Sequence, residues 1–379
     1  MTPRVALIGA GGHGRWHRRE LARLHDTGLI RVVAMCDVAP IEAAADAPIP
    51  DGTELFTDHR TMLSTVDADI AVICTPPHTH LPIALDAVAA GCDILLEKPP
   101  VLSGTEHRTL AEALDRAGRL AQVGFQALGS AALAELCDAI VAGRLGTVTA
   151  VSAAGAWQRD DAYWNRTRWA GRRTVDGHPV LDGALVNPFA HALMQSLAVA
   201  GNGVPRVIEL ERYRARDLEV EDTASLRVTL DSGPSIVVAV TLCAERFLPG
   251  EILVHGSAGR AVLEYPTDRL SLPGDAAPRV VPGRIGLLEN LAAHRGDPAV
   301  PLLVPLNRTA PFTALAEAIS AAPPPTEVPP SYVDDRGGAR VITGIDSAVR
   351  DCADRPGLFS ELPVPWAVPP FHGKLNGGS

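Results

Sequence analysis

The chain has 379 residues, 46% apolar and 21% charged, with a net charge of −10; that is the profile of a globular protein long enough for two hydrophobic cores. The acidic balance argues against nucleic acid or an anionic membrane as the main partner. No run of about 18 uninterrupted apolar residues occurs, so no membrane span is expected.

Residues 5–8 read as a buried strand that ends in Gly9-x-Gly11-x-x-Gly14 and opens into a helix. Gly9, Gly11, Gly12 and Gly14, with His13 among them, would give a tight turn, close backbone approach to a pyrophosphate, and close packing of helix on strand. The helix N-terminus adds amide donors and partial positive charge. Arg15, His17, Arg18 and Arg19 on this helix read as a solvated face. Residues 32–36 form a second strand that Asp37 terminates. Its carboxylate can accept from the ribose hydroxyls of an adenosine and would repel a 2′-phosphate, so NAD is expected, with NADP as the alternative.

Strands over 70–75, 94–97 and 121–124 alternate with helical patterns over 81–90 and 105–117. Near-continuous apolar strands in that rhythm predict a parallel sheet covered on both faces. Its ligands would sit beyond the carboxyl ends of the strands, where Gly9, Asp37, Thr75 and Glu97 fall. After Phe125 the pattern changes to a helix over 131–142 and strands over 147–154, 226–230, 235–241, 251–255 and 260–265, joined by hairpin-like turns. This predicts an antiparallel sheet with helices on one face. Pro-rich stretches at 322–330 and 362–370 predict irregular crossings. The expected division is 1–124, 125–370, and a frayed tail over 371–379.

The six cysteines are scattered without CxxC pairs, as buried reduced thiols are. The chain opens directly on a strand without a secretory pattern, so the cytoplasm is the expected compartment. Two histidines, His78 and His80, lie in the loop that follows 70–75, but no carboxylate stands beside them to complete a ligand set. That loop is expected to line the cofactor through Thr75, Pro76 and His80, and no metal is expected. Glu97-Lys98-Pro99 follows the next strand; Lys98 would stabilise developing charge on a substrate oxygen, against the plainer reading of a solvated lysine. In 181–195, Asn187 before Pro188 reads as a helix N-cap, and His191 would sit one turn inside. The helix dipole there disfavours imidazolium, leaving a neutral ring able to take a proton. Plain capping, and a core or surface histidine, are the bland alternatives.

Together these segments resemble the glucose–fructose oxidoreductase / inositol dehydrogenase (Gfo/Idh/MocA) family. The resemblance rests on Gly9–Gly14, Thr75-Pro76 with His80, and above all Glu97-Lys98-Pro99. It continues through Val123-Gly124-Phe125, Gly143 to Gly146, Val220 to Thr223 and Val254 to Ser257. It implies a Rossmann domain, an α/β doubly wound parallel sheet, followed by an α+β domain with a mainly antiparallel sheet. It further implies a homodimer or homotetramer formed through that sheet. The implied activity is NAD(P)-dependent hydride transfer to or from a carbinol carbon of a sugar, cyclitol or related small molecule. Lys98 and His191 would be catalytic. The cofactor would be held by Gly9, Gly11, Gly12, His13, Gly14, Asp37, Thr75, Pro76, His80, Glu97 and Lys98; the substrate by Lys98, Trp169, Asp182, Asn187 and His191. The family's second-domain pattern, aspartate-x-glycine-x-histidine-x-x-aspartate, reads here Asn187, Phe189, His191 and Met194. Only the histidine is kept, with Asp182 or Gln195 as candidate replacements for the acids. Two rival functions stand beside the main one: a glycosidase using bound NAD, and a cofactor-binding regulator without catalysis.

Overall fold

Apolar runs with almost no polar alternation cannot face water on either side, and the first part of the chain buries them twice over. In the computed structural model, which describes residues 2–201 and 203–375, these runs become β1 (Arg4–Ile8), β2 (Arg31–Cys36), β3 (Glu54–Phe56), β4 (Ile70–Ile73), β5 (Asp93–Leu96) and β6 (Ala121–Val123). They pair in parallel in the order β3-β2-β1-β4-β5-β6. The order reverses between β1 and β4, so the carboxyl ends of those strands frame the place where such sheets take ligands.

Helices α1 (Gly14–Asp26), α2 (His59–Thr65), α3 (His80–Ala89) and α4 (Gly104–Ala117) connect the strands. Local chemistry sets their ends: Asp58 accepts from the Thr61 amide at 2.7 Å to start α2, and Ser103 accepts from Glu106 at 3.2 Å to start α4. The sequence reading did not anticipate β3, only three residues long, or α2, which is short and largely polar.

Two compact units result, Met1–Gln126 with Ile285–Thr313, and Ala127–Arg284 with Ala314–Ser379. The return of Ile285–Thr313 to the first unit corrects the expectation that 125–370 forms one domain. A buried polar group explains it. Gln122 of β6 is 0% exposed, and its amide donates to Leu287 O at 3.0 Å and Asn290 Oδ1 at 2.6 Å while its oxygen accepts from Val304 N at 2.8 Å. Without helix Leu287–Gly296 and the strand-like stretch after it, that amide would lie unsatisfied.

The second unit is built on a ten-stranded sheet. Its central strand, Val148–Gln158, pairs antiparallel with Cys243–Gly256 and parallel with Ser235–Thr241. Most other pairings are antiparallel. Helices cover both faces, not one as expected. Gly155 meets the ring of Phe189, just ahead of helix Ala190–Ala200, so closely that no Cβ would fit. Its neighbour Ala154 packs instead with Ala239, Leu253, Ile345, Val349 and Trp366. Successive strand residues point to opposite faces, so helix Ile345–Asp354 lies across the sheet from helix Ala190–Ala200. The frayed-tail expectation is also corrected. Phe371–Lys374 pairs with Val207 to Leu210, taking up backbone groups that strand would otherwise expose; residues 376–379 lie outside the described residues. Among the described residues no helix is long and apolar enough to cross a membrane.

Candidate active site

The turn after β1 is shaped by contacts that only glycine permits. Gly9 has φ +91, and a Cβ there would run into the Cys74 carbonyl beyond β4. A Cβ on Gly14 would strike the Gly9 carbonyl, so α1 starts hard against the turn. Exposed Gly12 has nothing within 4 Å of its would-be Cβ, which leaves an open cradle at the head of α1. Asp37 closes the side of this cradle. Its Oδ2 accepts from Gly11 N at 2.7 Å and its Oδ1 from Ala39 N at 3.0 Å. Each oxygen keeps a lone pair for a further donor. Open cradle, helix terminus and oriented carboxylate together fit a dinucleotide.

Glu97, at the end of β5, is the hub of a buried network. Its Oε1 accepts from His17 Nε2 at 2.9 Å and from Gln126 Nε2 at 2.9 Å, and its Oε2 from the Lys98 amide at 3.0 Å. Gly124 makes room for it, since a Cβ there would lie 2.8 Å from the carboxylate. Burial pushes the Glu97 pKa up, but the hydrogen bond from His17 and the charges of His17, His13 and Lys98 outweigh it, leaving the group at about 2.

For His17 and Arg18 this overturns the reading of the α1 basic cluster as a solvated face, while Arg15 and Arg19 are exposed as that reading expects. His17 is 5% and Arg18 3% exposed, with Arg18 donating to Glu42 O at 2.8 Å and to Ala47 O. The signal was present in the spacing: Gly14, His17, Arg18, Leu21 and Leu24 share the buried face of α1. His13, His17 and Glu97 also bring three potential metal-ligand atoms within 4.8 Å of one another. The shared Glu97 oxygen already accepts two hydrogen bonds, from His17 and Gln126, while His13 Nε2 stands 3.9 Å from it.

A carboxylate whose pKa is lowered on folding stabilises the fold above its unfolded pKa, near 4.5, and loses that contribution as pH falls toward its folded value. Glu97→Gln is expected to cost about 2–4 kcal/mol at pH 7, with the gap to wild type narrowing below about pH 5. Urea melts at pH 7 and pH 3.5 check this; an unchanged gap would place the stabilisation elsewhere.

The other cofactor-side candidates divide by exposure. In the loop after β4, Pro76 is exposed and Thr75 half-buried, with Thr75 Oγ1 accepting from Thr79 Oγ1 at 2.8 Å. His80 is 1% exposed and spans two backbone carbonyls, with Nδ1 2.8 Å from Pro99 O and Nε2 2.8 Å from Thr75 O. It therefore ties the loops after β4 and β5 together from beneath and presents no ring atom at the surface. The Lys98 side chain is half-buried at the end of β5.

In the second unit, Asn187 is not a helix cap. Helix Ala190–Ala200 starts after Phe189, without a side-chain cap. The loop coils first, with Asn187 N donating to Gly183 O at 3.2 Å and Phe189 N to Ala184 O at 2.9 Å. This turns the Asn187 amide onto buried Asp182, donating to its Oδ1 at 2.9 Å, while Gly171 N donates to Oδ2 at 2.7 Å. Of the two candidate replacements for the missing acids, Asp182 is thus joined to Asn187. Gln195 instead donates to the His191 carbonyl at 3.2 Å. His191 is half-buried at the second position of the helix, within its first turn.

The sequence reading missed what holds this loop in place. Glu221 accepts from Leu185 N at 3.3 Å through Oε1 and from Ala184 N at 3.0 Å through its carbonyl, and it is ion-paired to buried Arg212 at 2.9 Å. The resemblance pointed to the Val220–Thr223 stretch without giving it a task. Trp169 is half-buried, with the Arg166 guanidinium 5.0 Å from its ring centre.

Comparison with known proteins agrees with this geometry. Residues 3–125 match a family model described as Oxidoreductase family, NAD-binding Rossmann fold, and residues 133–262 match the GFO/IDH/MocA C-terminal domain. Rhizopine catabolism protein MocA of Rhizobium meliloti is 31% identical over 42% of this chain and 48% of its own length. Inositol 2-dehydrogenase 4 of Saccharopolyspora erythraea is 35% identical over 38% of this chain and 42% of its own length. The chain thus spans about half the length of these curated relatives. Among solved structures, the WlbA dehydrogenase from Bordetella pertussis, in complex with NADH and UDP-GlcNAcA, superposes with a TM-score of 0.72 at 25% identity. That match covers 84% of this chain and 95% of the other.

Proposed function

The chain belongs to the Gfo/Idh/MocA oxidoreductase family, and from that premise we propose that it is an NAD-dependent dehydrogenase or reductase acting on a CH–OH carbon of a sugar, cyclitol or related small molecule. The observation that carries this reading is the Glu97 network, which fixes the backbone of Lys98 at the end of β5 in a domain whose glycine turn and Asp37 fit a dinucleotide. NAD supplies a hydride acceptor at its nicotinamide. Lys98 hydrogen-bonds the substrate oxygen and stabilises the charge that builds on it. His191 takes the hydroxyl proton in oxidation and returns it in reduction. Asp182 is a positioning residue for Asn187, which with Trp169 contributes to substrate binding. The names of the relatives are those of dehydrogenases and a catabolic protein; neither the glycosidase nor the regulator reading takes support from them. Six free thiols favour a reducing compartment, the cytoplasm.

The test is formation of NADH from NAD across a panel of sugars, cyclitols and their keto forms. Tight NAD binding with no turnover on any member would overturn the reading. Cofactor choice follows from Asp37, which Val38 and Ala39 follow with no basic side chain. NADH is expected to bind more tightly than NADPH. Asp37→Ala should weaken NADH by about 10–100-fold, the range for lost hydrogen bonds to a charged group, and leave NADPH no weaker. Fluorescence titration of both cofactors checks it; tighter NADPH binding by the wild-type protein would sink the assignment.

A further inference from the structure

Five side chains of the second unit form a ladder of alternating rings and guanidinium groups. Arg159 Cζ lies 5.0 Å from the ring centre of Trp157 and 5.0 Å from that of Tyr163. Arg166 Cζ lies 3.7 Å from Tyr163 and 5.0 Å from Trp169. Phe247, 71% exposed, extends the ladder by stacking on Trp157 at 6.4 Å.

These two arginines differ from their neighbours. Arg168 is paired with Asp176, Arg172 with Glu219 and Arg216 with Asp161. Arg159 and Arg166 face no carboxylate within ion-pair distance among the described residues. Their side chains donate to Tyr163 O at 2.7 Å (Arg166) and to Gln158 O at 3.5 Å (Arg159), and Arg159 also hydrogen-bonds the Tyr163 hydroxyl. The Arg159 Nε is buried with no hydrogen-bond partner. In a protein of net charge −10, two cations left without counter-charge form a local reversal of sign that favours an anion.

Stacking also decides which donors remain. A guanidinium held face-on between rings spends its flat faces on them, while its N–H donors project in its own plane, the geometry that grips a carboxylate or phosphate. The ladder adjoins the candidate site within the same unit. Trp157 packs 4.4 Å from Phe189, immediately before helix Ala190–Ala200, and Tyr163 feels the charge of Asp182.

We propose that Arg159 and Arg166 bind the anionic substituent of the substrate while the exposed ring of Phe247, stacked on Trp157, carries its ring, so that the substrate is an acidic sugar or cyclitol bearing a carboxylate or phosphate, not a neutral polyol. The proposal rests on the dehydrogenase reading for the word substrate, but the binding site it describes can be tested without turnover.

The experiment titrates the full chain, loaded with NADH, with matched probes: glucose against glucuronate and glucose 6-phosphate, and myo-inositol against inositol 1-phosphate. Tryptophan fluorescence and calorimetry are the readouts. The acidic member of a pair is expected to bind at least about tenfold more tightly at low salt, and the advantage should shrink as salt rises. Arg159→Gln with Arg166→Gln should erase it, weakening the acidic probe by about 10–100-fold and leaving the neutral one unchanged. Whether glucuronate or the phosphates profit more separates carboxylate from phosphate. Equal binding of acidic and neutral probes, or equal weakening of both in the double variant, would overturn the proposal. Arginine-dependent binding without NADH formation from any acidic sugar would uphold the site and sink the dehydrogenase reading. Efficient oxidation of neutral polyols with no preference for acidic ones would do the reverse. If no probe binds, both fail.

Discussion

Replacing His191 with alanine is expected to slow turnover by about 10²–10⁴, the span for loss of a positioned general acid or base. The acidic limb of the pH–rate profile for oxidation should disappear with it, because that limb reports protonation of the group that must accept the hydroxyl proton. The melting temperature should change little, since the ring is half-buried and lies outside the tightest packing of helix Ala190–Ala200. A companion variant sharpens the test. Asn187→Asp would place a second carboxylate where the Asn187 amide now meets Asp182 at 2.9 Å. Two carboxylates that close oppose each other's ionisation, so the variant adds little charge and the limb should stay near its wild-type position. Rate and pH profile both surviving His191→Ala would move proton transfer elsewhere. Tyr163, whose hydroxyl pKa burial pushes up, is the next candidate.

Lys98→Met is expected to lower the rate by about two to three orders of magnitude, the cost of removing one preorganised donor from developing charge. The fold should register the change only slightly, through loss of the smallest of the contributions named for ionised Glu97. It is the Lys98 backbone amide, retained in methionine, that donates to Glu97. NADH affinity and melting temperature should therefore stay close to wild type while kcat falls. A fall in stability comparable to that of Glu97→Gln, or activity within a few-fold of wild type, would make the lysine a structural residue.

What was legible in the sequence was what is local. The strand, glycine turn and helix over residues 5–20, the acid closing β2 and the lysine after β5 each depend on neighbours a few positions away, and periodicity plus turn chemistry reveals them. The partners of Glu97 do not. His17 lies 80 positions from it, and Gln126 lies 29 positions away. The same holds for Glu221, 36 positions from the amide of Leu185 that it anchors, and for Gln122, whose side chain draws helix Leu287–Gly296 back across 165 positions. Asn187-Pro188 reads as a helix start, but the short coil over 183–189 moved the start past it. A buried carboxylate five positions upstream then claimed the amide. Local preference yielded to the demand of a desolvated charge.

The central strands of the second unit lie between two layers of their own chain. Ala154 and Ala239, both 0% exposed, face helix Ile345–Asp354, and Gly155 faces Phe189 on the other side. The resemblance led us to expect copies of the chain to join through this sheet. In the middle of the sheet, however, the place of a second subunit is already taken from within, by a segment that works as a tethered stand-in. Face-to-face stacking of these strands between copies would first have to evict it. Any joining of copies through this sheet would have to use the strands that helix Ile345–Asp354 leaves uncovered.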